Sequence, residues 1–338
     1  MARRDAPAPG AALSAPGPSA AGAAGPDAPS AGPVVGVDIG GTKILALVDG
    51  EPGVVHRVAT PSRPADLLEA VRSVVDAAAG GVAPVAVGAG FPGLVDGSGT
   101  VRFSAHLPGL VGTRLAAELA AAYGEEVWVG NDATAAAWAE LRRGAGRGSS
   151  ELVMVTLGTG IGGGIVAGGR LLEGARRFAG EWGHMVVDPH GPPCPCGQRG
   201  CWERFASGDG LGRLGREAAQ AGRAPTLVAL AGGDPEAVRG EHVTAAATAG
   251  DPGSREVLAE LAWWLALGLA NLANALDPEV MVIGGGLVAA GEVLFGPLRE
   301  AFGQLVEAGS QRDVRIVPAA LGPSAGAVGA ALLAGSGS

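Results

Sequence analysis

Residues 34–48 read VVGVDIGGTKILALV, two apolar runs separated by Gly40-Gly41-Thr42. The pattern predicts a β-hairpin whose turn is built from small residues that leave backbone N–H groups uncovered. It returns over residues 151–167, ELVMVTLGTGIGGGIVA, with Gly158-Thr159-Gly160 at the turn. A strand–turn–strand unit that opens each half of a chain predicts a duplicated α/β architecture with a cleft between the halves. Apolar periodicity fills in the rest: helices over 67–79, 115–123 and 133–142, strands over 85–89, 126–129 and 280–283, and a turn over 91–99. Helices account for much of 211–276, and an Ala-rich helix closes the pattern at 325–333.

The chain has 338 residues, 47% of them hydrophobic, which is enough for a substantial core. A net charge of −9 and the lack of a basic stripe argue against a nucleic-acid surface. The greasiest stretch, 257–276, is interrupted by Glu260, Asn271 and Asn274, so it reads as a buried helix rather than a membrane span. Residues 1–33 are nearly all Ala, Pro, Gly, Ser and Asp and read as a disordered tail without the core of a signal peptide. These features predict a cytoplasmic protein. Its sole lysine is Lys43, inside the first glycine turn.

Turns of Gly and Thr can form nests of N–H groups that bind anions. Asp38 and Lys43 add a carboxylate for a metal and an ammonium for phosphate. Gly158, Gly160 and Gly163 also satisfy the dinucleotide fingerprint G-x-G-x-x-G, but a strand rather than a helix is expected after them, which excludes it. The order Gly-Thr-Lys likewise excludes a P-loop, which needs Gly-Lys-Ser/Thr.

All three cysteines, Cys194, Cys196 and Cys201, fall within CPCGQRGC. An odd number of thiols in a chain read as cytosolic disfavours disulfides and points to a tetrahedral zinc site needing one more ligand. His184 is the leading candidate for that ligand and His190, nearer in sequence, the second. A closed set of four protein ligands makes such a zinc structural. Asn131-Asp132 follows a predicted strand and precedes a predicted helix, so the pair suits either a cleft-facing base with a hydroxyl-binding neighbour or a plain helix cap. Glu181 and Glu203 flank the cysteine loop, which could present both carboxylates to hydroxyl groups.

DIGGTK, GNDATAAAWAE, LGTGIGGG, GEWGH and CPCGQRGCWE, in this order, resemble the ROK family of sugar kinases and repressors. The resemblance implies the duplicated actin-like ATPase (ribonuclease H-like) fold. One lobe would span 34–130, with the last helix, near 325–334, packing back onto it; the other would span 131–324 and carry the zinc loop 184–203. It implies ATP-dependent phosphorylation of a hexose at its 6-hydroxyl, most simply glucose. N-acetylmannosamine and fructose are alternative acceptors, and polyphosphate an alternative donor. Asp132 would be the base; Asn131, Asp132, Glu181, His184 and Glu203 would meet the sugar. Asp38, Gly40, Gly41, Thr42, Lys43, Gly158, Thr159 and Gly160 would serve the phosphates of ATP, with Mg²⁺ bridging them, and Gly284, Gly285 and Gly286 the adenosine. His184, Cys194, Cys196 and Cys201 would hold zinc. A homo-oligomer, dimer or tetramer, is also implied. A family repressor would carry a helix-turn-helix ahead of this body, and residues 1–33 show no helical periodicity. One departure stands out: Ala105-His106-Leu107 occupies the place where many family glucokinases read Pro-Asn-Leu.

Overall fold

The expected hairpin is present in the computed structural model, which describes residues 32–51, 54–61, 63–124, 126–306 and 313–336. Strands β1 (Val34–Ile39) and β2 (Lys43–Val48) pair antiparallel, with Ile39 opposite Ile44. They continue into β3 (His56–Ala59), α1 (Pro64–Ala79) and β4 (Ala86–Phe91). A small hairpin of β5 (Leu94–Val95) and β6 (Val101–Phe103), α2 (Leu115–Tyr123) and β7 (Val127–Asn131) follow. The sheet runs β3-β2-β1-β4-β7. The tail expected over 1–33 falls almost wholly outside the described residues, which begin at residue 32.

After α3 (Asp132–Arg143) the plan repeats. Strands β8 (Leu152–Leu157), β9 (Ile161–Ala167) and β10 (Arg170–Leu171) form an antiparallel meander. Helices α4 (Glu203–Ala206), α5 (Gly208–Gln220), α6 (Pro225–Leu230), α7 (Gly240–Thr248) and α8 (Pro252–Leu276) come next. Then come β11 (Val280–Gly285), α9 (Glu292–Leu305), β12 (Arg315–Pro318) and α10 (Ala325–Gly335). The second sheet runs β10-β9-β8-β11-β12. In both sheets the first two pairings are antiparallel and the last two parallel, so one topology occurs twice. The segment after Gly163 is strand, as the rejection of the dinucleotide fingerprint requires.

Strand alternation explains the layers. On β8, Leu152 and Met154 face a core shared with Ala136 and Ala137 of α3, while Val153 and Val155 face the larger core of α5 to α9. Helix α8 is long and apolar enough, by length and composition alone, to cross a membrane. Here it is a core helix, with Val257, Leu258, Leu261, Leu265 and Leu269 buried. Helix α10 covers β1 and β4 of the first sheet, and α3 covers β8 and β9 of the second. The two helices pack on each other so closely that a methyl group at Gly329 would strike the carbonyl of Ala135; Gly88 admits α10 to β4 in the same way. The two sheets are thus joined through a helix pair, and the N-terminus of α3 emerges between them.

Glu140 fixes this junction. It is wholly buried on α3. One carboxylate oxygen accepts from Ala145 N (2.8 Å) and Ala320 N (3.1 Å), the other from Leu321 N (2.8 Å). Glu140→Ala takes the acceptor from three N–H groups at a partly buried junction, and a buried donor left unsatisfied costs about 1–3 kcal/mol, so a loss of at least about 1 kcal/mol is expected in denaturant unfolding. Glu140→Gln, which keeps one acceptor oxygen, should lose less; equal losses would refute this account.

Two features differ from the sequence expectation. The stretch 91–99 contains a strand, β5, besides its turn, in which Asp96 Oδ1 accepts from Ser98 N (2.9 Å) and Thr100 N (3.2 Å). Elements β3, α9 and β12 carry no clear periodic signal and were not expected.

Candidate active site

Strand β7 ends at Asn131 and α3 starts at Asp132, so the pair stands where the two sheets meet. Asn131 is the helix cap: its Oδ1 accepts from Thr134 N (2.9 Å), and its Nδ2 donates to Gly93 O (3.2 Å). Capping therefore belongs to Asn131 rather than to the pair. Asp132 only accepts locally from Ala133 N (2.8 Å), and its carboxylate lines a cleft of about 600 Å³.

The cleft is acidic. Asp38, Asp132, Glu181 and Glu203 all line it, and His184 stands among them. Burial pushes the Asp132 carboxyl up to about 7, helped by the negative charges of Asp38 and Glu181 and opposed by the Ala133 amide. Asp38 is raised to about 6 by burial, with the Lys43 ammonium opposing. Burial also raises Glu181; the His184 imidazole opposes that rise and the Glu203 charge adds to it. Carboxyl groups raised in this way can both accept protons and bind hydroxyl groups.

The segment carrying Glu181 and His184 is pinned by Trp182, whose Nε1 donates to Met154 O (3.2 Å) on β8. The far end of the cysteine loop is anchored by Trp202, fully buried, whose Nε1 donates to Trp264 O (2.8 Å) on α8. Between these anchors His184, Cys194, Cys196 and Cys201 bring their ligand atoms within 4.8 Å of one another. His190 is exposed and is not in the cluster. The Sγ atoms of Cys196 and Cys201 are 3.6 Å apart, and Cys194 Sγ lies 3.8 Å from His184 Nδ1. Tetrahedral zinc with thiolates at ~2.3 Å needs sulfur separations of ~3.8 Å, so three thiols and an imidazole at these spacings fit zinc. The imidazole is shared between two surroundings: Nδ1 is turned to the thiols, while Nε2 lies 3.8 Å from Glu181 Oε2. Glu203 links the loop to the second glycine turn, since Cys194 Sγ donates to its Oε1 (3.1 Å) and a methyl group at Gly160 would meet its Oε2.

Gly158, Thr159, Gly160, Gly284 and Gly285 also line the cleft. Gly40, Gly41, Thr42, Lys43 and Gly286 do not. The first turn stands at the rim, with Gly41, Thr42 and Lys43 exposed, and His106 packs against Gly41. In both turns the first glycine's N–H closes the turn: Gly40 N donates to Lys43 O (2.9 Å) and Gly158 N to Gly160 O (3.1 Å). Those two amides are thereby withdrawn from any anion-binding nest. The wall formed by Ala319, Gly322, Pro323, Ala325 and Gly326 was not anticipated. Its small, uncharged residues carry no chemical signature, and only the repeated topology could have pointed to it.

Residues 34–336 match the sequence model described as the ROK family. The glucokinase of Streptomyces coelicolor is 41% identical over 310 residues, spanning 90% of this chain and 98% of its own. The N-acetylgalactosamine kinase AgaK of a Shewanella species is 34% identical over 316 residues, spanning 88% and 95%. Among solved structures, a ROK family glucokinase from Streptomyces griseus in complex with glucose and AMPPNP superposes with a TM-score of 0.81 at 40% identity, covering 90% of this chain and all of that one.

Proposed function

The chain belongs to the ROK family, and from that premise we propose that it is an ATP-dependent glucokinase, transferring the terminal phosphoryl group to the 6-hydroxyl of glucose. One observation carries the reading: Asp132, its carboxyl raised to about 7, lines a single cleft with Glu181, His184 and Glu203 and with the Gly158–Gly160 turn. Phosphoryl transfer needs a positioned hydroxyl, a proton acceptor beside it and a cradle for the phosphates.

Asp132 takes the proton of the 6-hydroxyl as the oxygen attacks the γ-phosphorus and the bond to the β-phosphate oxygen breaks, releasing ADP. Glu181, Glu203 and the Nε2 of His184 orient the remaining hydroxyls, which lowers the entropic cost of reaching the reactive geometry. Asn131 retains one Nδ2 hydrogen for a hydroxyl beside its bond to Gly93. Asp38, which lines the cleft, would be the carboxylate available to the Mg²⁺ that accompanies ATP as part of the substrate. The cluster of His184, Cys194, Cys196 and Cys201 would hold a structural zinc, which would supply rigidity to Glu203 and to the imidazole. Of the expected first-turn residues, Lys43 acts from the rim, through charge rather than as a wall of the cleft.

An acceptor panel with ATP and Mg²⁺ tests this directly, reading ADP release for glucose, mannose, fructose, N-acetylmannosamine and N-acetylgalactosamine. Glucose is expected to give the highest kcat/KM. Preference for an N-acetylated sugar would overturn the acceptor while keeping the reaction, and no turnover with any of them would overturn the kinase reading.

A further inference from the structure

The cleft that is proposed to take ATP is lined by five carboxylates: Asp38, Asp132, Glu181, Glu203 and Asp209. Arg204 is the one lysine or arginine among its described lining residues. A triphosphate brings several negative charges, so this cleft needs cations, and Lys43 stands outside the lining. Arg204 has a further peculiarity. Its Nε is the one buried side-chain nitrogen or oxygen among the described residues without a hydrogen-bond partner. Such orphaned donors are uncommon in folded proteins and ask for an explanation.

The main chain around Arg204 is tightly held. Its carbonyl accepts from Arg213 Nε and Nη2, both at 3.4 Å. Just beyond it, Ser207 caps α5 by accepting from Gly210 N (3.1 Å). Gly208 N donates to Gly158 O (2.8 Å) and Asp209 N to Thr159 O (3.4 Å). The segment is therefore stitched to the second glycine turn, and Arg204 lines the cleft together with Gly158, Thr159 and Gly160 of that turn. The planar fork of N–H groups suits a phosphate's oxygens, and a charged acceptor makes the bond stronger than a neutral one.

We infer that Arg204 is a phosphate-binding residue, contacting the phosphate chain of the nucleotide donor. The inference rests on the kinase reading above and adds to it the cation that recognises the donor. It is tested by calorimetric titration of the full chain with Mg²⁺-AMPPNP, adenosine and glucose, for the wild type, Arg204→Lys and Arg204→Gln. Arg204→Gln should weaken AMPPNP roughly 10- to 100-fold, the range of a lost hydrogen bond to a charged group, and leave adenosine and glucose binding unchanged. Arg204→Lys keeps the charge and should recover part of the loss; it also carries the test if the Gln variant folds poorly. Wild-type AMPPNP affinity in both variants overturns the inference, and a loss confined to glucose would show instead that Arg204 braces its neighbour Glu203. A wild-type protein that binds glucose but no AMPPNP overturns the ATP reading itself, and the role of Arg204 with it.

Discussion

Asp132→Asn is expected to lower kcat by roughly 10²- to 10⁴-fold, the usual contribution of a positioned general base, with glucose and AMPPNP affinities within a few-fold of wild type. Asn keeps the size and polarity of the side chain and can still accept from Ala133 N, but it cannot take the hydroxyl proton. The rival reading, that the residue only caps α3, is at odds with the hydrogen bonds, because Asn131 Oδ1 already holds Thr134 N. The cap should therefore respond to Asn131→Ala, by about 1 kcal/mol, whereas Asp132→Asn removes no capping hydrogen bond. Turnover near the wild-type value in a folded Asp132→Asn protein would remove Asp132 from the chemistry.

The pH dependence sharpens the test. In the unfolded chain the Asp132 carboxyl titrates near 3.8; in the folded protein burial and the Asp38 charge raise it to about 7. Only the unprotonated carboxylate accepts a proton, so kcat/KM of the wild type should rise with pH through about 7. That limb should vanish from the residual rate of Asp132→Asn. Stability runs the other way. Between these two values the unfolded chain gives up its proton before the folded one does, so rising pH favours unfolding, and the full penalty applies above the folded value. Asn never ionises, so the melting temperature of Asp132→Asn relative to wild type should climb from pH 5 to pH 8. A difference that falls over this range would contradict the assigned pKa.

What could be read in advance follows from where each signal resides. Both hairpins were legible because each sets two apolar runs around a Gly-Thr turn, and the β7–α3 junction because Asn131-Asp132 separates a strand pattern from a helix pattern. Strand β3 was not, since its four residues HRVA alternate between half-buried and exposed at a sheet edge. Helix α9 was hidden by Gly296, Pro297 and Gly303, although tertiary packing still buries Leu294, Phe295, Leu298 and Phe302. At the site, residues with distinctive chemistry were legible: the cysteines crowd one loop, and the carboxylates flank it. The glycines were less so, because a Gly-Thr turn looks the same whether it lines a cleft or sits at its rim, as Gly40 to Thr42 do. Arg204 was invisible in the sequence, where it is one arginine among many; only its unpartnered Nε in three dimensions marks it.

Cys196→Ser should strip zinc from the protein and raise the KM for glucose, while the KM for ATP and kcat change much less. The wild type, purified without added metal or chelator, is expected to hold one zinc ion per chain by elemental analysis. The effect on the sugar comes through His184 and Glu203. A zinc held by the cluster would fix the His184 ring, whose Nδ1 lies toward Cys194 Sγ and whose Nε2 lies toward Glu181, whereas an unanchored imidazole could rotate. Glu203 lies two residues beyond Cys201, so loosening the loop also frees this carboxylate. Losses of outer support for a metal or binding group commonly cost 10- to 100-fold, so a glucose KM raised roughly tenfold is the expected result. Cys196 is the ligand to change because Cys194 and Cys201 are buried and their replacement would confound metal loss with loss of packing. If instead the three thiols are incidental, Cys196→Ser should leave metal content, melting temperature and glucose KM where they were. Metal-free wild-type protein with full activity would end the zinc reading, whereas zinc loss that lowers glucose affinity and spares ATP would place the metal's function in holding the sugar end of the cleft.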